Sequence, residues 1–346
     1  MSLYYTSFIA AAVVSAVLTP LLVTWARKHR FFMPSVRERD LHQKPTPRIG
    51  GIAVVAAFLV VAVILNFVSP ESFNFTGQKI LGFDRNLFGL LVAILLLSVV
   101  NVVDDYRSLS WQTRLIVQIL AALIVVGFGI QIQWLSNPLG GQIILGSLGW
   151  LFVVIWLVGL SNVVNWLDGV NGLASGVGAI AMAIIFFLSI SPSVAQTANA
   201  ELAAIAFGAV VGFLPYNVVR AKAFLGDTGS QFLGFLIGVL AIISGGKVAT
   251  AFLVLAIPFM DAIVVFGSRI LNHQSPFLAD KRHLHHRLLD LGLKPWQIVG
   301  IFYVVSLMFG LIALNTQTIG KFQAALAALA LMAGLVILYS LKRKNA

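Results

Sequence analysis

Eleven runs of mostly apolar residues, each close to the length that crosses a bilayer, leave this chain little choice of fold. They fall at roughly 4–26, 49–68, 87–103, 111–130, 149–167, 170–190, 201–219, 224–245, 248–270, 297–316 and 321–341. A helix needs about 20 residues to span the hydrocarbon layer, and in lipid its backbone N–H and C=O groups must be paired internally. Such runs therefore predict transmembrane helices. Of the 346 residues, 59% are hydrophobic and 10% charged, whereas about a quarter of a soluble domain is charged. A mean hydropathy of +0.96 says the same. The expected fold is an all-α, polytopic transmembrane bundle of about 11 spans, a single membrane domain over 1–346. The tract 130–150, broken by Asn137, Pro138, Gly140 and Gly141, reads as a loop or re-entrant piece.

The cations set the expected orientation. With the N-terminus outside, 19 of the 23 Lys and Arg residues lie in or beside inner segments. The positive-inside rule then places the C-terminus in the cytoplasm. The net charge of +11 is read as topology and attraction to anionic headgroups, not as nucleic-acid binding. The opening Met-Ser-Leu-Tyr-Tyr lacks a basic n-region, so the first span reads as retained. With no cysteine, disulfides, thiolate nucleophiles and Cys-ligated metals are excluded.

The reactive side chains crowd the inner side. All six histidines, His29, His42, His273, His283, His285 and His286, fall in the two large inner loops. Asn101-Val-Val-Asp104-Asp105-Tyr-Arg107 ends the third span. Adjacent carboxylates at a membrane boundary need a compensating cation, which suits a divalent-metal and phosphate site; a helix cap is the plainer reading. Asn162-Val-Val-Asn165-Trp-Leu-Asp168-Gly-Val-Asn171-Gly172 joins the fifth and sixth spans, with Asn and Asp every three residues. Gly226-Asp227-Thr228-Gly229-Ser230 opens the eighth and can meet a metal–phosphate unit or simply cap the helix. Asp280-Lys-Arg-His283-Leu-His285-His286-Arg287 follows an intramembrane Asp261. Its spacing is awkward for a closed zinc site and better suited to a cationic phosphate clamp. His42-Gln-Lys44-Pro-Thr-Pro-Arg48-Ile-Gly50-Gly51 adds a stiff basic segment before the second span. Together these suggest phosphoryl or phospho-sugar transfer on a lipid substrate.

These motifs, in this order over nearly the whole chain, resemble the polyprenyl-phosphate N-acetylhexosamine-1-phosphate transferases. The form of the histidine loop, with Pro258-Phe-Met-Asp261 before it, looks like the GlcNAc-type branch. The resemblance implies transfer of GlcNAc 1-phosphate from UDP-GlcNAc to undecaprenyl phosphate, releasing UMP, at the cytoplasmic face of a bacterial inner membrane. The cofactor it implies is Mg²⁺, with Mn²⁺ as the alternative ion, and a homodimer is one assembly open to such a chain. In similar enzymes the principal metal ligand matches Asp227. The paired aspartates for metal support and for the lipid phosphate match Asp104 and Asp105, with Asp104 as the second metal ligand. Asn165, Asp168, Asn171 and Asn217 match positions lining the nucleotide pocket, and Phe224 matches the ring packed on uracil. His283, His285, His286 and Arg287 match the phosphate- and sugar-holding loop, with His283 in the catalytic set. Lys44 is the expected cation near the lipid phosphate. Arg220 stands where relatives often carry a smaller or apolar residue. Rival expectations are the same chemistry with UDP-MurNAc-pentapeptide or a modified hexosamine, and, in a different class, a secondary transporter.

Overall fold

The computed structural model describes residues 2–33, 46–137, 140–218, 221–244, 247–273 and 282–344, with side chains from 3 to 335. Lys44, Arg220 and Asp280 therefore lie outside the described residues. Thirteen α-helices account for nearly all the regular structure among them: α1 Ser2–His29, α2 Gly50–Val68, α3 Arg85–Arg107, α4 Trp111–Gly127, α5 Gly149–Leu167, α6 Leu173–Ile190, α7 Thr197–Asn217, α8 Gly226–Ile243, α9 Val248–Val254, α10 Ala256–Leu271, α11 Leu284–Asp290, α12 Pro295–Asn315 and α13 Thr318–Lys344. Nine of the described helices are long and apolar enough to cross a membrane. The chain is a polytopic helical membrane protein.

The eleven apolar runs all land on helices, with two departures. The fourth is α4, shorter than the other spans at 17 residues. The ninth is broken: α9 and α10 meet at 82°. Pro258 lies in the first turn of α10 and has no N–H to give the Val254 carbonyl, so a continuous helix would lose that bond and clash there. The tract 130–150 contains a short antiparallel hairpin, β3 Trp134–Ser136 with β4 Gln142–Ile144, not a re-entrant helix. A smaller hairpin, β1 Lys79–Ile80 with β2 Phe83–Asp84, precedes α3. Here the Asp84 carboxylate caps α3 through the Asn86 N–H at 2.9 Å and accepts from the Thr76 N–H at 2.8 Å.

α8 runs through the centre. Phe232, Leu233, Phe235, Leu236, Ile237, Val239 and Leu240 are all fully buried, as expected for a helix apolar on every side. The outer helices bury one face only. On α1, Ile9, Val13, Val17 and Leu21 recur every four residues and are each more than half exposed, a stripe suited to lipid. The opposite face of α1 lies against α7, where a Cβ on Gly208 or Gly212 would run into the backbone carbonyls of Phe8 and Ala12. Small residues four apart let two helices approach this closely in a membrane.

Gly212→Leu is expected to destabilise the α1–α7 pair by about 1–3 kcal/mol through overpacking. Gly159→Ala, where an added Cβ meets nothing within 4 Å, is expected to be neutral or slightly stabilising. Thermal unfolding of the detergent-solubilised protein compares the two.

Candidate active site

The polar ends of α3, α5 and α7 and the starts of α4, α6 and α8 meet at one end of the bundle. α8 begins there with three N–H groups lacking helical partners. Gly226 N–H reaches Asp168 Oδ2 at 3.1 Å, Asp227 N–H reaches Asp105 Oδ1 at 2.8 Å, and Thr228 N–H reaches Asp105 Oδ2 at 2.9 Å. The Thr228 hydroxyl adds a bond of 2.7 Å to Asp105 Oδ2. This is the usual attraction of a helix N-terminus for an anion, supplied by carboxylates from α3 and from the α5–α6 turn. Glycine is needed at 226: its φ is +72°, and a Cβ would stand 2.8 and 2.9 Å from the Asp105 oxygens.

Asp105 is thus committed through both oxygens, and its neighbour is not. Asp104 is buried at 3% exposure. Its Oδ1 accepts from the Leu109 N–H, while Oδ2 accepts no hydrogen bond from the described residues. Arg114 of α4 stands between two acids, with Nη1 3.5 Å from Asp104 Oδ2 and 3.8 Å from Asp227 Oδ2. The Asp227 side chain keeps 26% of its surface exposed and accepts from Asn165 Nδ2 at 2.6 Å. Asp168 has its pKa held well above the usual carboxylate range by burial first, then by the charges of Asp227 and Asp105; Arg48 and the Gly226 N–H oppose the shift. Carboxyl groups this close together favour either protonation or a nearby cation.

The other expected site residues divide into those facing the cluster and those holding it. Asn217 is buried at 1% exposure. Its Oδ1 accepts from the Gly172 N–H at 2.9 Å and the Ser175 hydroxyl at 2.7 Å, and its Nδ2 donates to Ala223 O at 3.0 Å. It ties two loops together among the described residues. Half-buried Phe224 is fixed by its backbone, its N–H on Pro47 O at 2.9 Å and its carbonyl taking the Gly50 N–H at 2.9 Å. That threads the segment around Arg48 into the site. Asn171 is partly exposed on the α5–α6 turn.

The histidine loop is anchored by the intramembrane acid. Asp261 of α10 accepts from the Leu284 N–H at 2.9 Å and pairs with His283 Nδ1 at 2.8 Å. The His283 ring stacks on Trp166, 5.8 Å between centroids, and lies parallel to His285 at 5.9 Å. His285 is 2% exposed, its Nε2 without a hydrogen-bond partner among the described residues. Burial, then His286 and His283, push its pKa down to about 3. The ring packs on Gly169 so closely that a Cβ there would collide with it. Partly exposed His286 and Arg287 remain nearer the surface, with Arg287 Nε on Arg282 O at 2.6 Å.

Sequence reasoning passed over Arg114 as a site residue, and also Gln118, Gln231, Trp166 and Tyr303, whose hydroxyl donates to Gly172 O. For Arg114, Gln118 and Gln231 the available signal was a cation or an amide inside or at the end of an apolar run; Trp166 and Tyr303 carry no such signal. Among the described residues no three His, Cys, Asp or Glu side chains converge into a metal cage. Two carboxylates do converge, with Asp104 Oδ2 short of a donor. That donor set fits Mg²⁺, which binds through one or two carboxylates and takes its remaining ligands from water and substrate phosphates.

The described helices thus form a multi-pass bundle with carboxylates, amides and imidazoles gathered at one end. A glycosyl transferase family 4 profile matches residues 87–245, which run from the first turn of α3 to just past the end of α8. The chain is 30% identical over 323 residues to a "Probable undecaprenyl-phosphate N-acetylglucosaminyl 1-phosphate transferase" of Bacillus subtilis, covering 90% of this chain and 85% of that one. It is 29% identical to a "Decaprenyl-phosphate N-acetylglucosaminephosphotransferase" of Mycolicibacterium smegmatis, over 93% and 84% of the two chains. A "Phospho-N-acetylmuramoyl-pentapeptide-transferase" of Shouchella clausii is 31% identical over 88% and 93%. The chain belongs to glycosyl transferase family 4, and the resemblance read from its motifs holds.

A folded-state pKa near 3 at His285, below the ordinary value of about 6.5, has a defined sign. Its stabilising contribution is full above pH 6.5 and is lost as pH falls towards 3, because only the unfolded chain takes the proton in that window. The raised pKa of Asp168 acts in the opposite sense over the same window, so the His285 contribution is read as a difference between wild type and His285→Gln. Unfolding measured from pH 7.5 down to 4.5 should show His285→Gln gaining stability relative to wild type, by up to about 1.4 kcal/mol per pH unit.

Proposed function

We propose that this protein transfers N-acetylglucosamine 1-phosphate from UDP-GlcNAc to undecaprenyl phosphate, giving undecaprenyl-pyrophosphoryl-GlcNAc and UMP. The observation that carries the reading is the convergence of Asp104, Asp227 and Arg114 beside the α8 N-terminus in a membrane bundle. Two of the three relatives above are named for GlcNAc-phosphate transfer to a polyprenyl phosphate. The clustering of Lys and Arg at the catalytic end favours the cytoplasmic face of a bacterial inner membrane.

An oxygen of the lipid phosphate attacks the β-phosphorus of the donor. A new P–O bond forms while the bond from that phosphorus to the bridging oxygen breaks, and the electron pair leaves with UMP. A phosphomonoester has a second pKa near 6, so the attacking oxygen is already ionised at neutral pH and needs no strong base. That suits Asp105, whose oxygens are taken by α8. Asp227 and Asp104 would hold Mg²⁺, which when bound supplies neutralising charge to the pyrophosphate. Arg114 and Arg48, with Arg287 and His286 of the loop, orient phosphates and offset their charge. Asn165 keeps Asp227 in place.

The test is lipid-linked product formed by purified protein with undecaprenyl phosphate, Mg²⁺ and a panel of UDP-sugars, with EDTA as control. Product from UDP-GlcNAc, lost with EDTA, is expected. Product from UDP-MurNAc-pentapeptide alone would transfer the assignment to the chemistry named for the Shouchella clausii relative.

The two aspartates should separate cleanly. Asp227→Asn is expected to lower turnover by about 100-fold or more with little change in unfolding temperature. Asp105→Asn should lower both, since its amide would turn an N–H₂ group towards α8's own donors. Equal effects on stability would contradict the division of labour.

A further inference from the structure

Four amide side chains sit one layer deeper than the carboxylates, one to two turns in from the polar ends of α3, α4, α5 and α8. Gln118 Nε2 donates to Gln231 Oε1 at 3.0 Å, and Asn101 Nδ2 donates to the same oxygen at 3.3 Å. Gln118 Oε1 accepts from Asn162 Nδ2 at 2.8 Å. Gln118, Gln231 and Asn101 are 2%, 1% and 1% exposed. Four helices that share no turn at this depth are thereby tied by their side chains.

Their placement repeats on every helix. Asn101 precedes Asp104 by three residues and Asp105 by four; Asn162 precedes Asn165 by three. Gln118 follows Arg114 by four, and Gln231 follows Asp227 by four. Residues three and four apart lie one above the other on a helix. α3 and α5 run towards the polar end and α4 and α8 run away from it, so all four amides fall on the inward side of their partners. The amide tier lies one turn, about 5.4 Å, beneath the carboxylate tier, with one amide under each helix's contribution to the site.

We propose that Asn101, Gln118, Asn162 and Gln231 are positioning residues for the transfer reaction, with Gln118 and Gln231 as the two central members of a bonded row that holds Arg114, Asn165, Asp227 and the Asp104–Asp105 pair at their working separations. The proposal rests on the transferase reading above. A buried amide whose partner is removed is left with unpaired groups in a medium without water, and the helices can relieve that only by shifting. Any shift there is carried to the acids one turn above.

The test uses the full-length protein in detergent with Gln118→Met, which keeps length and removes both hydrogen-bonding functions. Turnover with UDP-GlcNAc, undecaprenyl phosphate and Mg²⁺ is expected to fall about 10–100-fold while KM for the donor stays within about threefold. Gln118→Glu should regain activity relative to wild type as pH falls from about 8 to about 6, because a protonated carboxyl recovers a donor that the carboxylate lacks. Hydrogen exchange should quicken in peptides covering 101–107, 111–118, 162–168 and 224–231 and stay unchanged elsewhere. Wild-type turnover by Gln118→Met, or faster exchange throughout the bundle, would overturn the proposal. Exchange reads placement without any reaction. A wild type inactive towards every donor would thus defeat the transfer reading and leave the tier to be judged by exchange alone.

Discussion

The first turn of α8 aims its unpaired amide hydrogens at the carboxylates of Asp105 and Asp168, and the polar end of the bundle is organised by that meeting. The bonds are part-buried, and Asp105 takes them with both oxygens. It joins α3, the α5–α6 turn and α8. It also decides which acids remain available: with Asp105 and Asp168 facing the helix, Asp227 and Asp104 are left to meet a cation. The positive φ of Gly226 lets the backbone come that close.

The remaining loops are held by polar side chains that would be costly to bury alone. Asn217 fastens the α6 start to the segment leading into α8. Asp261 fastens the histidine loop to α10, and Trp166 and Gly169 give its imidazoles a surface to lie on. Each of these groups satisfies donors or acceptors that are buried in the fold. The site is therefore assembled from buried, paired groups, with partly exposed Asp227, His286 and Arg287 at the surface of the assembly.

Much of the bundle was legible from one dimension because lipid imposes a simple rule. A segment must be apolar for about 20 residues or be paid for by something inside the protein. Runs of Val, Leu, Ile and Ala announced the spans, and the acids, amides and histidines that interrupt or end them announced the site. The break at Leu255 was less readable, since Pro258 in an apolar run is compatible with a kinked span as well as with two helices at 82°. The hairpin at 134–144 was likewise hidden among turn-forming residues that fit several loop shapes.

What sequence alone could not assign was the division of labour within the motifs. Asp104 and Asp105 are chemically identical neighbours, yet consecutive residues on a helix point about 100° apart, and only the packing of α3 against α8 shows which one caps a helix. Asn217, matched to a pocket position by resemblance alone, is a loop tie by its contacts. Gln118 and Gln231 belong to no motif and become a layer only when four helices are laid side by side. Composition and hydropathy determined the membrane fold and the chemical inventory, because solvation acts on each segment separately. The roles of individual polar groups were decided by tertiary structure, because hydrogen bonds act between particular atoms that the chain brings together only when it folds.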